Sequence, residues 1–589
     1  MMSNVPISVG SGYSSLTGFI FLFNIIVGTG VLTLPAAFQE AGWLISVCVV
    51  VILCFLSFLT FTFVIEALSI TNALLKSKYL REGEEHEDNK SLVGRMSGGT
   101  TRIVPSDFEI TEKYELVRVF SSCNTSFQGQ MSLFYFGKVG NVLMYINICA
   151  YLYGDLTIYS SAVPKSLRNV ICSFNNSRDS LSDSNLCWES SSLTRLDVYR
   201  ILVVCFGACV CPFLFFNVIR SRWLQLLTVC LRWIGFILML SFSIERAIIL
   251  HKNFTVATFH HNVSMYWNPS IYSLLIKSEP VPKPPAFQPQ NIPSLFGVCV
   301  YVFMCHHSIP GIVTPVRDKS KILCRIFIPV FITVLSFNLL LSTTAIIAFN
   351  HIEDIYTLNF LPNNEFIDIS QIPYTLALII GYFLCLFPVF ALTSSFPIVG
   401  TSLLGNIFSL CNFFSAFGSD RAQNILKYTL PFVVLLPPLG IALITNNVGY
   451  LTGFTGAIFG SGIQYIIPAL LVFKARRYFT HCVPLKESYL ETTTDLQQSD
   501  DTTSATVGEQ MIQPNSSNNN TENENIMYGS TNDITTPHSV SIIGKCSNHH
   551  LLSISMHASP FQNFFWIIIA LIWALFCTII VLIDKIHHL

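Results

Sequence analysis

The stretch GFIFLFNIIVGTGVLTLPAAF, residues 18–38, decides the fold. It is apolar and long enough to cross a bilayer, which takes about 20 residues. Asn24, Gly28, Thr29, Gly30 and Pro35 interrupt it. Gly and Pro release backbone groups from the helix ladder, and hydrocarbon tolerates such groups only where protein or a polar cavity satisfies them. We therefore expect a discontinuous helix with an unwound centre at Gly28, Thr29 and Gly30. Membrane transporters build substrate sites at such breaks, where half-helix ends and free carbonyls face a midplane cavity. A kinked helix whose glycines only let neighbours approach is the other reading.

The rest of the chain supports a membrane setting. Of 589 residues, 51% are hydrophobic and 11% charged, less than half the roughly 25% charged share of soluble domains. A mean hydropathy of +0.55 makes this a polytopic membrane protein whose main partner is the lipid bilayer. A net charge of −1 offers no case for a nucleic-acid partner. The first 17 residues lack the basic start of a cleavable leader, so the first span is expected to stay and direct insertion.

Apolar length marks eleven expected spans, at 16–38, 43–68, 132–163, 197–217, 222–244, 294–314, 322–349, 372–400, 428–446, 449–474 and 562–584. The fold class expected is an all-α polytopic membrane protein, with a short N-terminus (1–15), a ten-helix core (16–474) and a final span within 561–589. Segments 69–130 and 475–560 carry polar runs such as REGEEHED (81–88) and NSSNNNTENEN (515–525), and are expected to be disordered cytosolic loops. Segments 164–196 and 245–293 are expected to be non-cytosolic loops.

Basic residues set the orientation. With a cytosolic N-terminus, the cytosolic loops hold Lys76, Lys78, Arg81, Arg220, Arg222, Arg317, Lys319, Lys321, Lys474, Arg476 and Arg477, as the positive-inside rule requires. The odd number of spans then puts the C-terminus on the other side. Sequons at Asn175, Asn253 and Asn262 fall in the non-cytosolic loops, where they are expected to be glycosylated. Cys172 and Cys187 share loop 164–196, and a disulfide between them suits that oxidising side.

If the first ten spans form two inverted repeats of five, span 6 corresponds to span 1. Span 6, SLFGVCVYVFMCHHSIPGIVTP (294–315), is also interrupted, by His306, His307, Pro310 and Gly311. Two broken helices at matching positions are the best sequence pointer to a transport site.

The same residues carry a resemblance. FNIIVGTGVLTLPAAFQEAGW (23–43), FMCHHSIPGI (303–312) and FTGAIFGSGIQYIIPALLVFKARR (454–477) resemble the first, sixth and tenth spans of the amino acid/auxin permease family. SFLTFTFVIEAL (57–68), YLYGDLTIYSSAVP (151–164), FGVCVYVFMCHHSIP (296–310) and IYTLNF (355–360) look like a divergent branch of it. The resemblance implies a leucine-transporter-like fold, a five-plus-five inverted repeat with one extra helix, and amino-acid transport.

An amino acid offers a carboxylate and an ammonium. The resemblance gives the first to the break at Gly28, Thr29 and Gly30, with Asn24 nearby; carbonyls from Phe303 to His306 would suit the second. Asn24 and Thr29 could equally make interhelical hydrogen bonds. His306 is a candidate proton carrier or a structural hydrogen-bonding group. Asp155 and Arg232 lie inside spans, where charges are costly and face polar interiors. They either pair with each other or leave Asp155 as a proton relay. A sodium ion would need oxygens from the first break and span 8, where Thr393, Ser394 and Ser395 lie. An alignment anchored on Phe396 and Pro397 puts Phe390 where sodium-coupled relatives carry threonine, which favours protons or facilitated transport. No nucleotide-binding, metal-binding or hydrolase motif occurs, so no cofactor, metal or catalytic residue is assigned and no enzyme is expected.

The functional expectation is a secondary amino-acid transporter working by alternating access, with possible proton coupling. The alternative is a transporter-like receptor or scaffold signalling through its cytosolic loops. A lysosomal or endosomal membrane and the plasma membrane stand equally open.

Overall fold

A computed structural model describes residues 14–94, 127–173, 183–188, 192–215, 222–263, 285–309, 313, 316, 322–362, 373–413, 420–482 and 559–587. Among them there is no β-strand, only an isolated bridge between Leu186 and Thr194. Among the described residues seven helices are long and apolar enough to cross a membrane, eight if one bent pair counts as a span, and Tyr428–Ile444 is a shorter apolar helix. The protein is an all-α, multi-pass membrane protein.

The bent pair is the opening stretch. Helix α1 (Ser15–Ile26) starts at Ser14, whose hydroxyl caps the N–H of Thr17. Helix α2 (Thr29–Ala41) follows at an angle of 52°. The break sits at Val27 and Gly28, earlier than expected. Thr29 and Gly30 already belong to α2, and so does Pro35, which helix packing accommodates without a break. Gly42, at φ +98°, ends α2 in a conformation that favours glycine. A Cβ there would lie 2.8 Å from the Ala286 backbone, because this turn bonds segment 285–288 through Trp43 N–H to Pro285 O and Leu44 N–H to Ala286 O.

The remaining helices are α3 (Trp43–Gly94), α4 (Phe127–Ser173), α5 (Arg195–Phe215), α6 (Arg222–Val263), α7 (Ile292–Val302), α8 (Ile328–Ala348), α9 (Tyr374–Phe413), α10 (Asp420–Ile444), α11 (Val448–Thr455), α12 (Ile467–Cys482) and α13 (Phe564–His587). Five run well past their expected ends, α9 reaching Phe413 and α12 reaching Cys482 among them. Helix α3 continues through REGEEHED, where Arg and Glu are good helix formers even without apolar periodicity. Helix α4 continues past Pro164 to Ser173, and α6 past residue 244 to Val263. Asn253 and Asn262 therefore lie on helical backbone, not in an open loop. Asn175 lies outside the described residues, as do Pro310 and Gly311.

The chain divides into two units, Met1–Ser69 with Phe108–Lys474 and Met556–Leu589, and Ile70–Asp107 with Ala475–Ser555. In the second, the described residues are the last turns of α3 and α12. All that follows concerns the first. There α4 lies against α5, α9 and α10, and α2 lies against α7. Between α11 and α12 the backbone widens into two π-helical turns, Gly456–Gly460 and Gly462–Ile466. Gly297 of α7 meets the backbone of Gly453, and Gly456 meets the carbonyl of Gly297, so the glycines let these helices touch. Helix α13 covers α7 through Phe296, Trp573 and Phe576.

Cys172 and Cys187 form the expected disulfide. Beside it a polar clasp joins the helix ends. Arg168 donates to Asp183 at 2.7 Å and Asn446 donates to the same carboxylate at 2.5 Å. Partial burial pushes the Asp183 carboxyl up, but the Asn446 bond and the Arg168 and Lys165 charges outweigh it and hold it below the usual range. Lys165 donates to Asp354 at 2.6 Å, and the Val448 N–H to the same oxygen at 3.0 Å.

Candidate functional site

The first break is an asymmetric pair of helix ends. Helix α1 ends with the Val27 N–H bonded to Phe23 O at 2.8 Å. The last carbonyls of a helix lack partners in their own ladder and carry partial negative charge. Arg232, from α6, supplies them. Its guanidinium donates to Asn24 O at 2.7 Å and Val27 O at 3.5 Å, and reaches Ser395 Oγ on α9 at 3.4 Å. Stacking of Phe23 on Trp233, centroids 4.4 Å apart, holds α6 at this position.

The other half of the break is the start of α2. The first N–H groups of a helix have no acceptor within it and form a ready anion site. Thr29 Oγ1 and Tyr301 OH lie 3.0 Å apart and share a buried hydrogen bond. A Cβ at Gly28 would meet nothing within 4 Å, whereas one at Gly30 would lie 2.9 Å from Tyr301 Cδ1 and 3.0 Å from Val302 Cα. Gly28 thus borders open space, and Gly30 serves close contact with α7.

Span 6 breaks at Phe303, before the histidines. Helix α7 ends at Val302; Met304 and Cys305 are irregular, and His306–Ser308 forms a single 3₁₀ turn. Phe303 and His306 face α3 more than the first break. The Phe303 carbonyl accepts from Ser57 Oγ at 3.2 Å, and His306 Nε2 lies 3.1 Å from Thr60 Oγ1. The residue of span 6 that hydrogen-bonds to span 1 is Tyr301, which the sequence reading passed over. Its only signal was a phenol in an apolar span, where the hydroxyl must find a partner.

Asp155 of α4 completes the site. It is 5% exposed, its Oδ1 has no hydrogen-bond partner, and it faces the hydroxyls of Tyr151 and Tyr301. The expected Asp155–Arg232 ion pair does not form. Lys165–Asp354 and Arg168–Asp183 are ion pairs elsewhere, and neither involves Asp155 or Arg232. Arg232 has the first break's carbonyls instead, and Tyr159 lies within electrostatic reach of both charges. On α9, Ser394 and Ser395 both donate back to Ala391 O, at 3.0 and 2.9 Å, Thr393 is half-buried, and Ser395 also accepts from the Arg232 guanidinium at 3.4 Å. Phe390 is exposed on the outside of α9, so its side chain does not line the site.

A buried carboxylate, two phenols and a half-helix N-terminus thus converge beside a helix break. The matching family model, described as transmembrane amino acid transporter protein, covers residues 11–479.

The chain belongs to this transporter family.

Its relatives include transmembrane protein 104 homolog of Drosophila melanogaster, 38% identical over 493 residues, 79% of this chain and 89% of the relative. Transmembrane protein 104 of Pongo abelii and of Homo sapiens are each 36% identical over 485 residues, 80% of this chain and 88% of theirs. Family membership identifies a transporter-like membrane protein and points away from an enzyme.

Proposed function

We propose that this protein is a secondary amino-acid transporter working by alternating access, with Asp155 as its proton-coupling carboxylate. The observation that carries this is the open N-terminal end of α2 beside a buried, incompletely partnered carboxylate. The N–H groups at Thr29 and Gly30 suit a substrate carboxylate, with Gly28 leaving room for it. Asp155 would take up a proton, or the substrate ammonium, beside Tyr151 and Tyr301. The two broken spans in contact support reading α1–α6 and α7–α12 as five-span repeats, with α13 as the added helix. Spans 1 and 6 would then rock against α4, α5, α9 and α10. The disulfide supports placing loop 164–196 on the non-cytosolic side, with the N-terminus in the cytosol.

The test is uptake of radiolabelled amino acids into proteoliposomes under inward and zero proton gradients. Uptake driven by the gradient in the wild type, and indifferent to it in Asp155→Asn, is the expected result. Failure of every amino acid to enter would overturn the transporter reading. Gradient-driven uptake that survives Asp155→Asn would overturn the coupling role.

A further inference from the structure

We propose that Arg232 is a resident cation, held by the oxygens where a transported sodium ion would otherwise bind. Discontinuous transporter helices bind small cations through unwound carbonyls and half-helix C-terminal ends. In this chain those groups are Asn24 O and Val27 O, joined across the helix interface by Ser395 Oγ. All three accept from one guanidinium. Arginine stays protonated in proteins and offers five donors in a fixed plane, so it can bond several oxygens at once. The negative end of α1 is thus neutralised by a group covalently part of the chain.

The consequence is mechanical as well as electrostatic. In a sodium-coupled carrier the link between the first break and the eighth span comes and goes with the ion. Here the cation that bonds α1 and α9 is tethered to α6, so it cannot diffuse away when those hydrogen bonds open. No carboxylate lies within ion-pair distance of Arg232 among the described residues, so the carbonyl dipoles and one hydroxyl are its counter-charge. Phe23 on Trp233 fixes the neighbouring backbone and keeps the guanidinium aimed at the carbonyls. The inference rests on the transporter reading only for its bearing on coupling. Its test reads stability, so the two can fail separately.

Purified protein is melted in sodium chloride and in choline chloride at equal ionic strength. The wild type should melt at the same temperature in both. Arg232→Ala should melt lower, and rise with added sodium or guanidinium but not with choline, because a small cation or a free guanidinium can enter the vacated place. Arg232→Lys keeps a tethered charge and should stay indifferent to sodium. A sodium-specific rise in the wild type would overturn the proposal. So would an Arg232→Ala protein that responds to neither sodium nor guanidinium. If Arg232→Ala does not survive extraction, the wild type and Arg232→Lys decide: a sodium-specific rise in either refutes it, and indifference in both supports it.

Discussion

Gly28 and Gly30 stand two residues apart, and replacing each with alanine should have opposite consequences. At Gly30 the added methyl would lie 2.9 Å from Tyr301 Cδ1 and 3.0 Å from both Val302 Cα and Cγ2. The Val302 Cα is backbone, and the tyrosine ring is tethered through its hydroxyl to Thr29. Neither yields without moving α7 away from α2. Overpacking of this kind costs roughly 1–3 kcal/mol. If the shift also breaks the Thr29–Tyr301 bond, about 0.5–1.5 kcal/mol more is lost. Gly30→Ala should therefore destabilise by about 1.5–4.5 kcal/mol if both costs apply. At Gly28 the methyl meets nothing within 4 Å and φ is −114°, so Gly28→Ala should melt within about 0.5 kcal/mol of the wild type. Thermal unfolding of the purified variants, followed by tryptophan fluorescence, measures both. Its companion is amino-acid uptake, where a methyl projecting into the space beside Gly28 should slow transport without unfolding the protein. Equal destabilisation by the two substitutions, or a Gly30→Ala protein as stable as the wild type, would refute the assignment of contact to one glycine and space to the other.

Removing the disulfide with paired Cys172→Ser and Cys187→Ser should cost about 3 kcal/mol, since it closes a sequence separation of 15 residues; the melting temperature should fall, and the wild type alone should change mobility on reduction. Asp183 is held below the usual carboxylate range, so its contribution is present above the unfolded value near 4 and is lost only as pH falls through the lower folded value. Acidification from pH 7 to about 5 should leave the clasp intact, and melting curves of Asp183→Asn should show lower stability at neutral pH with a weaker further loss in acid. Lys165→Met should destabilise by at most roughly 3 kcal/mol, the low end for a buried pair, because Asp354 keeps the Val448 N–H. Tyr301→Phe keeps the ring against Gly30 but removes the bond to Thr29, so it should impair uptake more than melting temperature.

What the sequence determined by itself was whatever depends on composition and local chemistry. Apolar length announced an all-α, multi-pass fold, and a glycine among apolar residues announced the first break to within a residue or two. Two cysteines in one short polar segment announced their disulfide. Helix ends were less legible: α3, α4 and α6 run on because helix formation needs only permissive residues, not an apolar face. The site itself needed tertiary structure. Backbone carbonyls leave no mark in a sequence, so nothing in the residues told that Arg232 would bond Asn24 O and Val27 O; two opposite charges suggested each other instead. Likewise Gly28 and Gly30 are identical in the chain, and only the approach of Tyr301 and Val302 from another helix gives one a packing role and the other open space. These partners are hundreds of residues apart, and only the packed helices bring them together.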